Sequence, residues 1–288
     1  MRRLARFVIL AALLAFQPGP AAARPPVWTV SDGDSEVILF GAVHVLPPGL
    51  AWRPPALDRA LREAEDIWFE IPPGTASEAR LQQLAAERGM LAPGERLSGL
   101  LSPEARARLE RLCQAYGLAL PLIDRFEPWL AEVALAAAAY RKEGAAGENG
   151  VEAVLASGLD QTRLRAFETP EAQIAMLDEA PQRDQIRSLE SSLVELETSP
   201  DSYRRLIEAW MAADLRRLEA EALDPVRETS AALYERLVAQ RNEAWIRTLQ
   251  NRLAGSGRTV VVVGVGHLIG QDGLPSRLRA LGYRVKGP

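Results

Sequence analysis

Thr259-Val260-Val261-Val262-Val263-Gly264-Val265-Gly266-His267 is the stretch on which the fold turns. Four valines follow Thr259 without a polar residue, the pattern of a strand buried on both faces, and such strands belong to parallel sheets covered by helices. A glycine ends the run and a histidine follows three residues later. Near the other end of the chain, Phe40-Gly41-Ala42-Val43-His44 closes a second apolar run in the same way. The chain has only 2 histidines. Both stand in this strand-Gly-x-x-His phrase, which two scattered core histidines would have no reason to share.

The surroundings of the two phrases match as well. Short β-rich runs at residues 27–30 and 36–40 flank Asp32-Gly33, a hairpin signal. After His44 a proline-rich loop leads to apolar positions at helical spacing, Leu57, Ala60, Leu61 and Ala64, and then to a strand at 67–71. After His267 comes a helical stretch around 274–281 and a last strand at 282–285. Strand, Gly-x-x-His, helix and strand thus occur twice. Between them the sequence predicts helices over 77–88, 103–116, 128–142, 151–156, 171–178, 183–197, 202–223 and 225–253, with one short strand at 163–167. The expected fold is α/β, a central mixed β-sheet flanked by helices. Two β-GxxH-α-β units lie at the chain ends, and a helical region of about residues 76–253 is inserted in a single domain spanning 24–288.

Residues 1–23 read as a secretory signal peptide: a basic start with Arg2, Arg3 and Arg6, an apolar run at 7–16, and Ala21-Ala22-Ala23 as small residues for cleavage. Ten apolar residues fall short of the ~20 that span a bilayer. Removing them moves the formal charge from −4 to −7, and an acidic chain is ill-suited to nucleic acid. The expected protein is exported, periplasmic or secreted, with no stable membrane span. Cys113 is the only cysteine, so no intrachain disulfide can form. It shares helical spacing with Leu109, Leu112 and Tyr116 and reads as a buried thiol.

Histidines placed at the carboxyl ends of two parallel strands would meet at the sheet edge where α/β folds bind ligands, although 223 positions separate them. Such imidazoles hold a metal or exchange protons. Glu70 closes the strand after the first unit, and two histidines with a carboxylate form a known metal shell with open positions. Glu70 equally suits an exposed strand end. Glu168 ends another strand and equally suits the acidic approach to the helix at Pro170. Gly264-Val265-Gly266 with Gly270 imitates a dinucleotide loop but lacks the acidic residue ~20 positions on. HExxH, GxSxG and CxxC are all absent.

With Trp52-Arg53-Pro54-Pro55 and Trp68-Phe69-Glu70, the residues 39–47 resemble the opening of TraB/GumN family proteins, relatives of the Tiki proteases. Residues 263–274, followed by Leu281-Gly282-Tyr283-Arg284-Val285, resemble that family's second signature. Gly150-Val151-Glu152, Phe167-Glu168-Thr169 with Gln173, and Arg241-Asn242 match between them, with Glu152 standing where many relatives have aspartate. The resemblance implies an EreA/ChaN-like architecture and, from the Tiki-type members, a metal-dependent protease site. Carried over by position, that site comprises Gly41, His44, Glu70, Gly264 and His267.

The leading reading is a metal-dependent hydrolase, a peptidase by preference, acting on a peptide or small-molecule substrate. His44, His267 and Glu70 would bind a divalent ion (Zn, Mn, Co or Fe), with Glu70 as ligand or general base. Arg241 would stabilise the oxyanion, and Gly41, Gly264, Glu168 and Asn242 would support the site. Two alternatives stand beside it: a peptide- or haem-binding module without turnover, and a metal-free, esterase-like acid/base hydrolase. N-terminal sequencing of the native protein should find a chain beginning near Arg24 in an exported fraction; Met1 retained in the cytosol would refute the export signal.

Overall fold

The computed structural model describes residues 24–288; the signal-peptide reading at 1–23 lies outside the described residues. Six strands form one mixed sheet in the order β4-β3-β5-β2-β1-β6. In chain order these are β1 (Val27–Ser31), β2 (Ser35–Ala42), β3 (Asp66–Phe69), β4 (Leu164–Ala166), β5 (Gly257–Gly264) and β6 (Arg284–Lys286). β1 and β2 form the expected hairpin. Asp32 Oδ1 accepts from Ser35 N at 3.1 Å and from Ser35 Oγ at 2.7 Å, so the aspartate side chain closes the turn.

β2, β5, β3 and β4 run parallel, so their carboxyl ends share one edge. The all-valine run of β5 sits at the centre of the sheet, with Val260, Val261, Val262 and Val263 all 0% exposed. That is why it could dispense with polar alternation. β2 connects to β3 through the helix Pro55–Glu63, and β5 connects to β6 through the helix Leu274–Ala280. The two crossovers leave in opposite directions along the sheet, β2 past β5 to β3, and β5 past β2 and β1 to β6. Right-handed connections then put their helices on opposite faces.

The expected glycine role is corrected for the first phrase. Gly41 does not end its strand; it lies inside β2, paired with Val263, while Gly264 pairs with Ala42. The two phrases are therefore out of step by one residue. Gly41 is required for close approach: a Cβ there would stand 2.9 Å from Val265 Cγ2 and 3.3 Å from its Cα, where the chain leaves β5. Its carbonyl accepts from the buried Trp210 Nε1 at 2.8 Å. Trp210, Trp52 and Phe40 form an aromatic cluster with ring centroids 5.8–6.4 Å apart.

Most helices between β3 and β5 match their predicted spans, but two long ones are broken. The expected helix 202–223 divides into Ser202–Met211 and Leu215–Ala222. Between them Ala213 has φ 50°, and the Asp214 side chain caps the second helix by accepting from Arg217 N. The expected 225–253 divides into Asp224–Thr229, Ala231–Tyr234, a π-turn at Glu235–Ala239 and the helix Gln240–Leu253. Ser230 caps the restart by accepting from Leu233 N. In both cases a capping side chain offered the backbone an alternative bond, and helical periodicity does not register that. The helices Pro103–Tyr116, Pro128–Lys142 and Gln182–Thr198 enclose their own apolar cluster around Leu109, Leu135, Leu189 and Leu193. Cys113 is buried in it, and burial pushes its thiol up to about 11, so it is an inert core residue. Among the described residues no helix is long and apolar enough to cross a membrane.

Gly41→Ala should lower stability by about 1–3 kcal/mol, the usual cost of overpacking a rigid contact, measured by denaturant unfolding. Wild-type stability in that variant would remove the close-approach argument.

Candidate functional site

The parallel register delivers residues from four segments to one sheet edge. The β3–β4 pairing continues past the strands: Phe167 N donates to Phe69 O at 3.0 Å, and Glu168 N donates to Glu70 O at 2.8 Å. Glu70 and Glu168 therefore leave the edge side by side. From β5, Gly264 N donates to Glu70 Oε1 at 2.7 Å. A Cβ at Gly264 would lie 3.1 Å from that oxygen, 3.7 Å from His44 Nε2 and 3.8 Å from His267 Cδ2. Gly264 is thus the point on which both histidines and Glu70 converge, and the two imidazoles lie less than about 8 Å apart.

Arg241 fills the space between the acids. Its Nε and Nη2 donate to Glu168 Oε1 and Oε2 at 2.7 and 2.9 Å, a two-point grip on one carboxylate. Nη2 also donates to Glu70 Oε2 at 2.5 Å, and Nη1 donates to Leu237 O at 3.2 Å and to His267 Nε2 at 2.9 Å. These contacts use all five of its N–H groups. In this arrangement every N–H of Arg241 has a partner inside the protein. The Leu237 carbonyl belongs to the π-turn just before the arginine. Trp245 flanks the guanidinium at 4.8 Å and donates from Nε1 to Glu168 Oε1 at 3.0 Å. Gln173 Nε2 donates to Glu70 Oε2 at 3.2 Å.

The two histidines occupy opposite environments. His267 is 6% exposed. Asn242 spends its amide N–H groups on His267 O and Asp272 O, so its Oδ1, 2.8 Å from His267 Nδ1, accepts a hydrogen bond from that nitrogen. The Nε2 lone pair then faces inward and takes the Arg241 N–H. Burial, aided by the charge of Arg241, lowers the His267 pKa to about 3, so the ring is neutral at pH 7. The His44 side chain is 67% exposed, and its Nδ1 stands 2.9 Å from Glu152 Oε1. The charge of Glu152 raises its pKa to about 9. Solvent screening at so open a pair keeps its worth to stability below about 1 kcal/mol. Glu70 is 8% exposed. Burial opposes its charge, but His267, Arg241, His44 and the Gly264 N–H outweigh it and bring its pKa down to about 2.

The donor set as arranged does not fit a divalent ion. Among the described residues no three or more His, Cys, Asp or Glu side chains are grouped to hold one. His267 Nε2 and both Glu70 oxygens already have N–H partners, and a guanidinium occupies the space they enclose. The nearby surface groove, about 480 Å³, reaches Glu168 and Arg241 from the side of the helices Pro170–Asp178 and Gln240–Leu253 and is not lined by either histidine. Sequence reasoning brought together His44, Glu70, Glu168, Arg241, Asn242 and His267. It gave no chemical role to Glu152, Gln173 or Trp245, whose places depend on how the helical region folds back over the edge.

The pKa directions fix how stability follows pH. His267 and Glu70 have folded values below their ordinary 6.5 and 4.5, so each weakens the fold on acidification, His267 between 6.5 and about 3 and Glu70 between 4.5 and about 2. His44 acts oppositely: its contribution is complete below 6.5 and fades as pH rises through about 9. With two histidines, ¹⁵N ring spectra should show one titrating near pH 9 and the other resisting protonation to about pH 3. Two rings titrating together near 6.5 would contradict this geometry.

The TraB/PrgY/gumN family model matches residues 26–287. The uncharacterized protein YbaP of Escherichia coli (strain K12) is 27% identical over 257 residues, covering 88% of this chain and 92% of its own. An uncharacterized protein of Treponema pallidum (strain Nichols) is 26% identical over 259 residues, covering 85% and 77%. No solved structure matches the chain. With that model spanning the whole sheet and every residue of the edge cluster, the chain belongs to the TraB/PrgY/gumN family.

Proposed function

We propose that the sheet edge is the active site of an exported hydrolase that cleaves an acyl bond of a peptide or small molecule by acid/base chemistry, with His44 as the base. The observation that carries this reading is the contrast between His44 and its neighbours. Every polar hydrogen of Arg241 and the Nε2 of His267 are committed inside the protein, whereas His44 is open to solvent with Nε2 turned toward Gly264 and Glu70.

In this reading His44 Nε2 takes a proton from water while the oxygen adds to the substrate carbonyl, and the resulting imidazolium returns the proton to the leaving group as the acyl bond breaks. Glu70, ionised and fixed by Gly264 N and Arg241, supplies a constant negative charge beside the imidazolium. His267, held neutral, adds no competing positive charge to the cluster. The export signal at residues 1–23 supports work outside the cytoplasm.

A metal-dependent peptidase is the second reading, and one observation favours it. Asn242 anchors His267 through Nδ1, leaving Nε2 directed at Glu70 Oε1 4.0 Å away, which is how a metal-binding histidine is usually oriented. Arg241 would have to withdraw from both groups first.

The test is turnover by the mature chain on a panel of activated esters, amides and peptide libraries, with and without chelator. Chelator-insensitive hydrolysis is expected, rising with pH toward a plateau above about 9 as His44 loses its proton. His44→Ala should lower kcat by roughly 10²–10⁴-fold. Activity abolished by chelator and restored by a divalent ion would establish the metal reading, and a bound but uncleaved ligand would establish a binding module.

A further inference from the structure

We propose that Glu152 is the positioning residue of His44, holding the imidazole so that Nδ1 carries the proton and Nε2 faces the cleft. This deepens the reading of His44 as a base and rests on it for its catalytic consequence, but the hold itself can be measured without turnover.

Glu152 comes from the first turn of the helix Val151–Ala156, far from His44 in sequence, and the backbone fixes its place. Leu46 and Ala146 exchange two hydrogen bonds, N to O at 3.2 Å and 3.1 Å, and Val151 N donates to Val43 O at 3.1 Å. The segment 146–151 is therefore fastened to the segment 43–46 at both ends, on either side of His44. Between these fastenings the chains touch: a Cβ on Gly150 would stand 2.0 Å from His44 O, so only glycine allows the approach. Two residues on, Glu152 Oε1 is buried and makes no hydrogen bond of good geometry. The atom it approaches is His44 Nδ1, at 2.9 Å.

An oxygen buried without a partner is costly, and a modest rotation of the imidazole gives it the Nδ1–H. His44 is otherwise exposed and free to choose its tautomer and rotamer. A carboxylate fastened behind one ring nitrogen settles both, which is how a base is commonly oriented by a third group. His267 is held by a neutral amide oxygen and His44 by a carboxylate; only the second arrangement stabilises the imidazolium formed when the ring takes a proton.

The experiment is ¹⁵N ring spectroscopy of wild type, Glu152→Ala, Glu152→Asp and Gly150→Ala at a pH where His44 is neutral, with His267 as an internal reporter of folding. Wild type should show the Nδ1–H tautomer at His44. Glu152→Ala should shift it toward Nε2–H while the His267 signals stay in place, and Glu152→Asp should restore it in part. Gly150→Ala should behave like Glu152→Ala with the carboxylate still present. Where a substrate is in hand, kcat of Glu152→Ala should fall about 10- to 100-fold with KM unchanged, the scale for losing a partner that orients a functional histidine, and Glu152→Asp should recover most of it. An unchanged His44 tautomer in Glu152→Ala, with His267 unperturbed, would overturn the proposal. A tautomer that shifts without any change in kcat would confirm the hold and refute His44 as the base.

Discussion

A guanidinium buried among two carboxylates and an imidazole is the constraint on which the sheet edge depends. Arg241 is 12% exposed, Glu168 12% and Glu70 9% at the side chain. Charges so far from water persist only when their hydrogen bonds are complete, and losing one partner of such a group costs roughly 3–5 kcal/mol. Completion here draws on distant parts of the chain. The segments just past β3 and β4 supply the acids, the end of β5 and the turn after it supply a backbone N–H and His267, the π-turn supplies a carbonyl, and the helix Pro170–Asp178 supplies Gln173. The cluster locks the helical region onto the sheet at the point where the chemistry is proposed.

The same cluster explains why two histidines with one sequence context have opposite properties. His267 sits at the end of the central strand, under Trp245 at 4.5 Å and beside Arg241, where burial and positive charge both disfavour protonation. His44 leaves β2, one strand over, at an edge open to solvent and backed by Glu152, where protonation is favoured. A neutral ring with both nitrogens committed and an exposed, protonatable ring thus stand less than about 8 Å apart. The sequence repeat created the pair, and the asymmetry of the sheet gave them opposite environments.

The offset between the phrases belongs to the same account. Gly41 and Gly264 look equivalent, yet Gly41 lies within its strand to admit Val265, while Gly264 ends its strand and presents its N–H to Glu70. Identical motifs thus answer different local demands, one of packing and one of hydrogen bonding.

Much of this was legible in the residues. The valine run of β5, the Asp32-Gly33 turn, the helix-spaced Leu57, Ala60 and Leu61, and the paired histidines determined a mixed sheet with both histidines at its carboxyl edge, because side-chain periodicity and strand burial are local properties. Glu70 and Glu168 were legible as strand ends. Three things were decided only in three dimensions: that every N–H of Arg241 has a partner inside the protein, that the expected ligands close around a guanidinium, and that Glu152 stands behind His44. Each depends on which side chain reaches a shared polar atom first, and that is settled by strand register and the packing of the inserted helices, over separations of 73–171 residues for the arginine and its acids, which no local pattern encodes.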